Sequence, residues 1–119
     1  MGEEKDIRVL AAPERLDSAS ASDFKTQAAD RVEGASGLIV DFGKTRFVDS
    51  VGLGTLVNLL KACNRQGVEL VLAALTPQVR QIFELTRLYR LFDVFDTVEQ
   101  ARAALENGPA PAGDGDLQP

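Results

Sequence analysis

The chain has no histidine and no tryptophan, and its 119 residues include a single cysteine, Cys63. Without an imidazole there is no Ser-His-Asp relay, no histidine-bearing zinc site and no phosphohistidine transfer, since each needs a side chain that titrates near neutrality. One thiol excludes an intramolecular disulfide and argues against a secreted, cross-linked scaffold. Long apolar runs are also missing. Nothing approaches the ~20 apolar residues of a membrane span, and the opening MGEEKD lacks the positive start and apolar stretch of a signal peptide. Positive charge is scarce and scattered: 13 Lys and Arg against 18 Asp and Glu give a net charge of -5, with no basic stripe to hold nucleic acid or an anionic membrane. These absences predict a soluble cytoplasmic protein that needs no metal or cofactor and binds neither nucleic acid nor membrane.

What is present is alternation. IRVLAA (7–12) is a short apolar segment ending at Pro13, which cannot donate to a sheet ladder and suits a strand end. After the serines of SASASDF, Ala21, Phe24, Ala28 and Val32 recur at helical spacing until Gly34 and Gly37, which predicts a helix over 19–33. GLIVDF (37–42) is a continuous apolar run, the pattern of a strand covered on both faces. Leu53, Leu56, Val57, Leu60 and Cys63 form an apolar stripe closed by Gly67, so a second helix starts at or just after Ser50. VELVLAA (68–74) reads as a third strand, and Thr76 with Pro77 opens a helix whose Val79, Ile82 and Phe83 face the core. LFDVFD (91–96) gives a fourth strand, and Thr97 to Gln100 has the form of a capping box opening a helix to about Glu106. The order predicts one α/β domain over 1–106, with a small, largely parallel sheet of four to five strands and about four helices. Residues 107–119, rich in Gly, Pro and Asp, read as a disordered tail.

Three motifs invite chemistry. Gly43-Lys44-Thr45 follows a strand like a phosphate loop, but Leu38 stands where that motif needs its first glycine, and Arg46-Phe47-Val48 leads into a loop instead of a helix. GLGTLV (52–57) has two glycines of a dinucleotide fingerprint and Val57 in place of the third. Asp41 at a strand end is compatible with a phospho-accepting receiver, but Ala11-Ala12-Pro13 offers none of the acids that would hold magnesium. Asp49-Ser50 remains. One reading makes Ser50 the cap of the second helix, stabilising it by ~1 kcal/mol. The other makes it a modification site: a phosphoryl group there adds about -1.5 to -2 charges beside Asp49, at a helix N-terminus that accommodates an anion. A catalytic nucleophile lacks an activating base.

The stretch FVDSVGLGTLVNLLKACNRQGVELVLAALTPQVRQIFELTRLYRLFDVF, with RLDSASASDF before it, resembles the STAS domain of anti-sigma factor antagonists, and the resemblance runs from about Ile7 to Leu105. It implies that Ser50 is phosphorylated by an anti-sigma factor that is also a serine kinase, and that the unphosphorylated chain binds this partner and frees the sigma factor. It further implies that a PP2C-type phosphatase reverses the mark and that the chain itself is not an enzyme. Carried over by position, Asp49, Val51, Gly52, Leu53 and Gly54 lie with Ser50 at the docking surface, and Asp17 lies on the adjoining loop. Two positions depart from the family pattern: Val51 replaces a small Ser, Thr or Ala, and Glu14-Arg15 replaces the glycine before the Leu-Asp pair. The N-terminus is also short by one edge strand compared with many members, which leaves the sheet at four to five strands. An edge strand near the N-terminus can pair with another copy, so a monomer or a weak homodimer is expected. The alternatives are a STAS subunit with a structural task in a lipid-transport or signalling assembly, where Ser50 is only a cap, and a small nucleotide-binding enzyme.

Overall fold

The computed structural model describes residues 5–107. In chain order they form β1 (Ile7–Ala11), β2 (Arg15–Leu16), α1 (Ala21–Val32), β3 (Gly37–Asp41), β4 (Phe47–Val48), α2 (Ser50–Gln66), β5 (Glu69–Ala73), α3 (Pro77–Thr86), a 3₁₀ turn (Leu88–Arg90), β6 (Asp93–Phe95) and α4 (Val98–Glu106). The main sheet is four-stranded in the order β1-β3-β5-β6, and every pairing in it is parallel, with Val9, Ile39, Val71 and Asp93 aligned across it. The expected α/β layer with four helices is therefore present. Of the tail expected over 107–119, all but Asn107 lies outside the described residues.

Sheet and helices form three layers because successive strand residues point to opposite faces. Leu38, Val40, Leu70 and Leu72 face one way and pack with Phe24 and Val32 of α1, Leu56 and Cys63 of α2, and Val79 and Phe83 of α3. Ile39, Val71 and Ala73 face the other way and pack with Ala101 and Leu105 of α4. Spatial order follows chain order from β1 to β6, so right-handed crossovers place α1, α2 and α3 on one face, and the last helix must return across the other. This double cover is why β3 carries no polar residue before Asp41. Phe83 fastens α3 by edge-to-face contacts with Phe42 at 6.3 Å and Phe92 at 5.9 Å.

The helix ends follow local chemistry, with three corrections to the sequence reading. Thr76 and Thr97 accept hydrogen bonds from the N–H groups of Val79 and Gln100, and Gly67 closes α2 at a φ of 72°, as expected. Helix α1 is shorter than 19–33, because Asp17 draws Ala19 and Ser20 into a turn by accepting from both N–H groups. The buried face of α2 is Gly52, Thr55, Leu56, Leu59 and Cys63, while Leu53, Val57 and Leu60 flank it half-buried. The third correction is β2 and β4, which pair in parallel as a separate two-stranded ladder, Arg15 with Phe47 and Leu16 with Val48. Two-residue strands carry no periodicity for a sequence reading to detect.

Candidate functional site

The small β2–β4 ladder builds the site. Arg-Leu-Asp at 15–17 and Phe-Val-Asp at 47–49 are the same pattern: an outward residue, a buried aliphatic and an aspartate that leaves the ladder. Leu16 and Val48 are buried, and the carbonyl of Leu16 accepts from the Asp49 N–H at 3.3 Å. Asp17 and Asp49 are thereby set side by side, one leading into α1 and the other opening α2. The ladder's outer face is closed by the Arg15 guanidinium, which lies 4.2 Å over the Phe47 ring and reaches Asp17 Oδ2 at 3.3 Å. The repeated aliphatic-Asp pattern is the signal that could have revealed this pairing from sequence.

The two aspartates have separate tasks. Asp49 sits in extended backbone and its Oδ1 accepts from the Gly52 N–H at 2.9 Å, so Asp49 is the cap of α2. The expectation that Ser50 caps this helix is corrected: Ser50 is already its first residue, one position too far along to turn back onto the first free N–H groups. Asp17 stabilises the loop before α1. Burial by itself would raise its carboxyl pKa, but the N–H groups of Ser20 and Ala19 and the Arg15 guanidinium outweigh burial and hold the pKa below the ordinary carboxylate value.

Ser50 is exposed, and its hydroxyl makes no hydrogen bond within the described residues. Beside it Val51 is 45% exposed, an aliphatic side chain set in solvent. Gly54, one turn on, is exposed, and a Cβ there would meet nothing within 4 Å. Leu53 is half-buried against the core. Gly52 lies beneath the surface instead of on it. A Cβ at Gly52 would collide with the Leu16 carbonyl and come within 2.9 Å of Val48 Cγ1, so this glycine lets α2 cross close over β2. The structure thus brings Asp17, Asp49, Ser50, Val51 and Gly54 to one end of the molecule, with Gly52 as the packing contact below them.

The other motifs resolve into structure. Asp41 Oδ1 accepts from the Gly43 N–H at 2.8 Å, and Thr45 is buried with its hydroxyl donating to the Pro13 carbonyl at 2.8 Å. Gly43-Lys44-Thr45 is therefore a turn leading into β4, with none of the helix a phosphate loop needs. Among the described residues no group of three acids, cysteines or histidines could hold a metal ion, and no helix is long and apolar enough to cross a membrane.

A sequence model of the STAS domain matches residues 1–101. The anti-sigma factor antagonist BtrV of Bordetella bronchiseptica is 30% identical over 92 residues, covering 76% of this chain and 79% of BtrV. The crystal structure of an anti-sigma factor antagonist from Thermotoga maritima has a TM-score of 0.71 at 26% identity, covering 80% of this chain and 85% of that one. A sulfate transporter family protein from Wolinella succinogenes shares the fold alone, with a TM-score of 0.74 at 16% identity over 87% of this chain and 88% of its own. With the family model spanning nearly the whole described fold and a 30%-identical relative spanning most of both sequences, the chain belongs to the STAS domain family, among the anti-sigma factor antagonists.

Proposed function

We propose that this chain is a phosphorylation-gated binding module: its unphosphorylated form binds an anti-sigma factor that is also a serine kinase, and a phosphoryl group on Ser50 ends that binding. The observation that carries the reading is the separation of tasks at the start of α2. Asp49 holds the helix cap, which leaves the Ser50 hydroxyl exposed and unengaged, so a kinase can reach it and the fold does not depend on it. Asp49, Val51, Gly54 and Asp17 frame the hydroxyl as the surface on which the partner rests, and a PP2C-type phosphatase restores it. The chain is a substrate in another protein's active site and performs no catalysis. It works in the cytoplasm through its STAS domain, residues 1–106.

The magnitudes suffice. Inverting a bound population from 99:1 to 1:99 takes about 5.5 kcal/mol. Two like charges ~4 Å apart near a protein surface interact by about 4 kcal/mol. A dianion at Ser50 facing one acidic group of the partner, together with lost contacts, reaches that range without refolding.

Incubation with the cognate kinase and ATP tests the reading directly. Mass spectrometry is expected to place one phosphate on Ser50, Ser50→Ala to accept none, and Ser50→Asp to lose the partner in a pull-down while melting like the wild type. A partner that binds Ser50→Asp as well as the wild type defeats it. The fold shared with a sulfate transporter family protein supports a second reading, a structural subunit indifferent to Ser50. Under that reading Ser50→Ala and Ser50→Asp are both silent in stability and in assembly.

A further inference from the structure

We infer that the outer edge of β1 is a docking strand for a second copy of this chain, joined antiparallel about a two-fold axis at Val9. Strand β1 is at the end of the sheet, and among the described residues nothing pairs with its outer side. Its hydrogen-bond parity is fixed at both ends: the Asp6 carbonyl accepts from Gly37, and the Ala12 N–H donates to the Asp41 carbonyl. In a parallel ladder alternate residues bond to a given neighbour. Residues 6, 8, 10 and 12 therefore face β3, and Ile7, Val9 and Ala11 turn their N–H and C=O groups outward.

The edge lacks the devices that normally guard one, which are a lysine pointing along it, a proline within it, or a bulge. Pro13 lies beyond its end. The Arg8 guanidinium is drawn over α1, where it donates to the carbonyls of Arg31 at 3.1 Å and Glu33 at 2.7 Å, and Lys5 donates to the Leu105 carbonyl at 3.0 Å. Ile7 and Val9 are half-buried and Ala11 is exposed, on the α4 side of the sheet.

The requirement that Ile7, Val9 and Ala11 all find partners within the facing β1 selects one register. An antiparallel pair centred on Val9 sets Val9 against the partner's Val9 and Ile7 against the partner's Ala11, so all three outward residues are used twice. It also sets Arg8 against the partner's Leu10 and Asp6 against the partner's Ala12, with no like charges opposed. Centring the pair on Arg8 would oppose the two Arg8 side chains, which is unfavourable in a cross-strand pair. Centring it on Leu10 would set Ile7 against the partner's Pro13, which has no N–H to give. The favoured register joins two four-stranded sheets into one of eight strands. It uses none of the residues around Ser50, so it stands apart from the phosphorylation reading.

Sedimentation of the full chain over a range of concentrations tests this. The wild type is expected to rise from the monomer mass to twice that mass. Val9→Pro, which removes an N–H that β3 does not use, is expected to stay at the monomer mass with an unchanged circular dichroism spectrum. Should Val9→Pro unfold, Val9→Lys and Val9→Glu provide the test: each alone is expected to be monomeric, and an equimolar mixture to regain the dimer. A wild-type chain that stays monomeric at every concentration overturns the inference, including one whose edge instead takes a strand from another protein. So does a Val9→Pro chain that folds and still dimerises, or a Lys and Glu mixture that behaves no differently from its components.

Discussion

Asp49 and Ser50 are neighbours in the chain with opposite relations to the fold. Asp49 accepts from the Gly52 N–H, so Asp49→Ala leaves an orphaned donor at the start of α2 and is expected to cost about 1 kcal/mol. In a domain of this size that is a fall of roughly 4–8 °C in the melting temperature, read by calorimetry. Ser50→Ala touches no hydrogen bond and is expected to stay within about 0.5 kcal/mol of wild type. Two residues on, Gly52→Ala forces a methyl group into the Leu16 carbonyl and Val48 and is expected to cost about 1–3 kcal/mol by denaturant titration. Asp17 adds a pH dependence. Its folded pKa is lowered, so its contribution is fully present above the ordinary carboxylate value of ~3.9 and is lost as pH falls through the lowered one. Asp17→Asn is therefore expected to flatten the acid side of the stability curve while leaving its shape near neutrality unchanged.

At the level of elements, the β2–β4 ladder does for the site what the main sheet does for the core. Leu16 is fully buried, and Leu16→Ala is expected to cost about 2–5 kcal/mol while loosening the alignment of Asp17 with Asp49. Partner binding should fall further than the stability loss alone explains, a difference measured by titrating the partner at a temperature where the variant remains folded. The large elements were legible because their patterns are long enough to have a period: the apolar run of β3, the stripe of α2 ending at Gly67, and Thr76-Pro77 before α3 each state their own structure. The ladder was not legible, since two residues have no period and the pairing of 15–16 with 47–48 is non-local. The cap of α2 was misplaced by one residue for a related reason. Aspartate and serine are both good caps, and only the start of the helical backbone at Ser50 decides between them. Gly52 was assigned to the surface because sequence does not show which face of a helix approaches another strand.

The whole molecule is a sheet covered on both faces, with the site at the end where β2 and β4 leave the core. Cys63 sits in the larger apolar cluster, fully buried, and burial pushes its thiol up to about 11. A disulfide reagent at neutral pH is therefore expected to label Cys63 no faster than the fold opens, and denaturant should accelerate the reaction in step with unfolding. The proposed switch acts by surface charge on a body whose sheet is covered on both faces. The affinity of the anti-sigma partner for the chain phosphorylated at Ser50, measured by titration calorimetry beside the unmodified chain and with both melting temperatures recorded, tests that claim most directly. Binding is expected to be weaker by about 10³-fold, the equivalent of ~4 kcal/mol, with melting temperatures that agree. Equal affinities, or a loss of affinity accompanied by a collapse of the melting temperature, would contradict it.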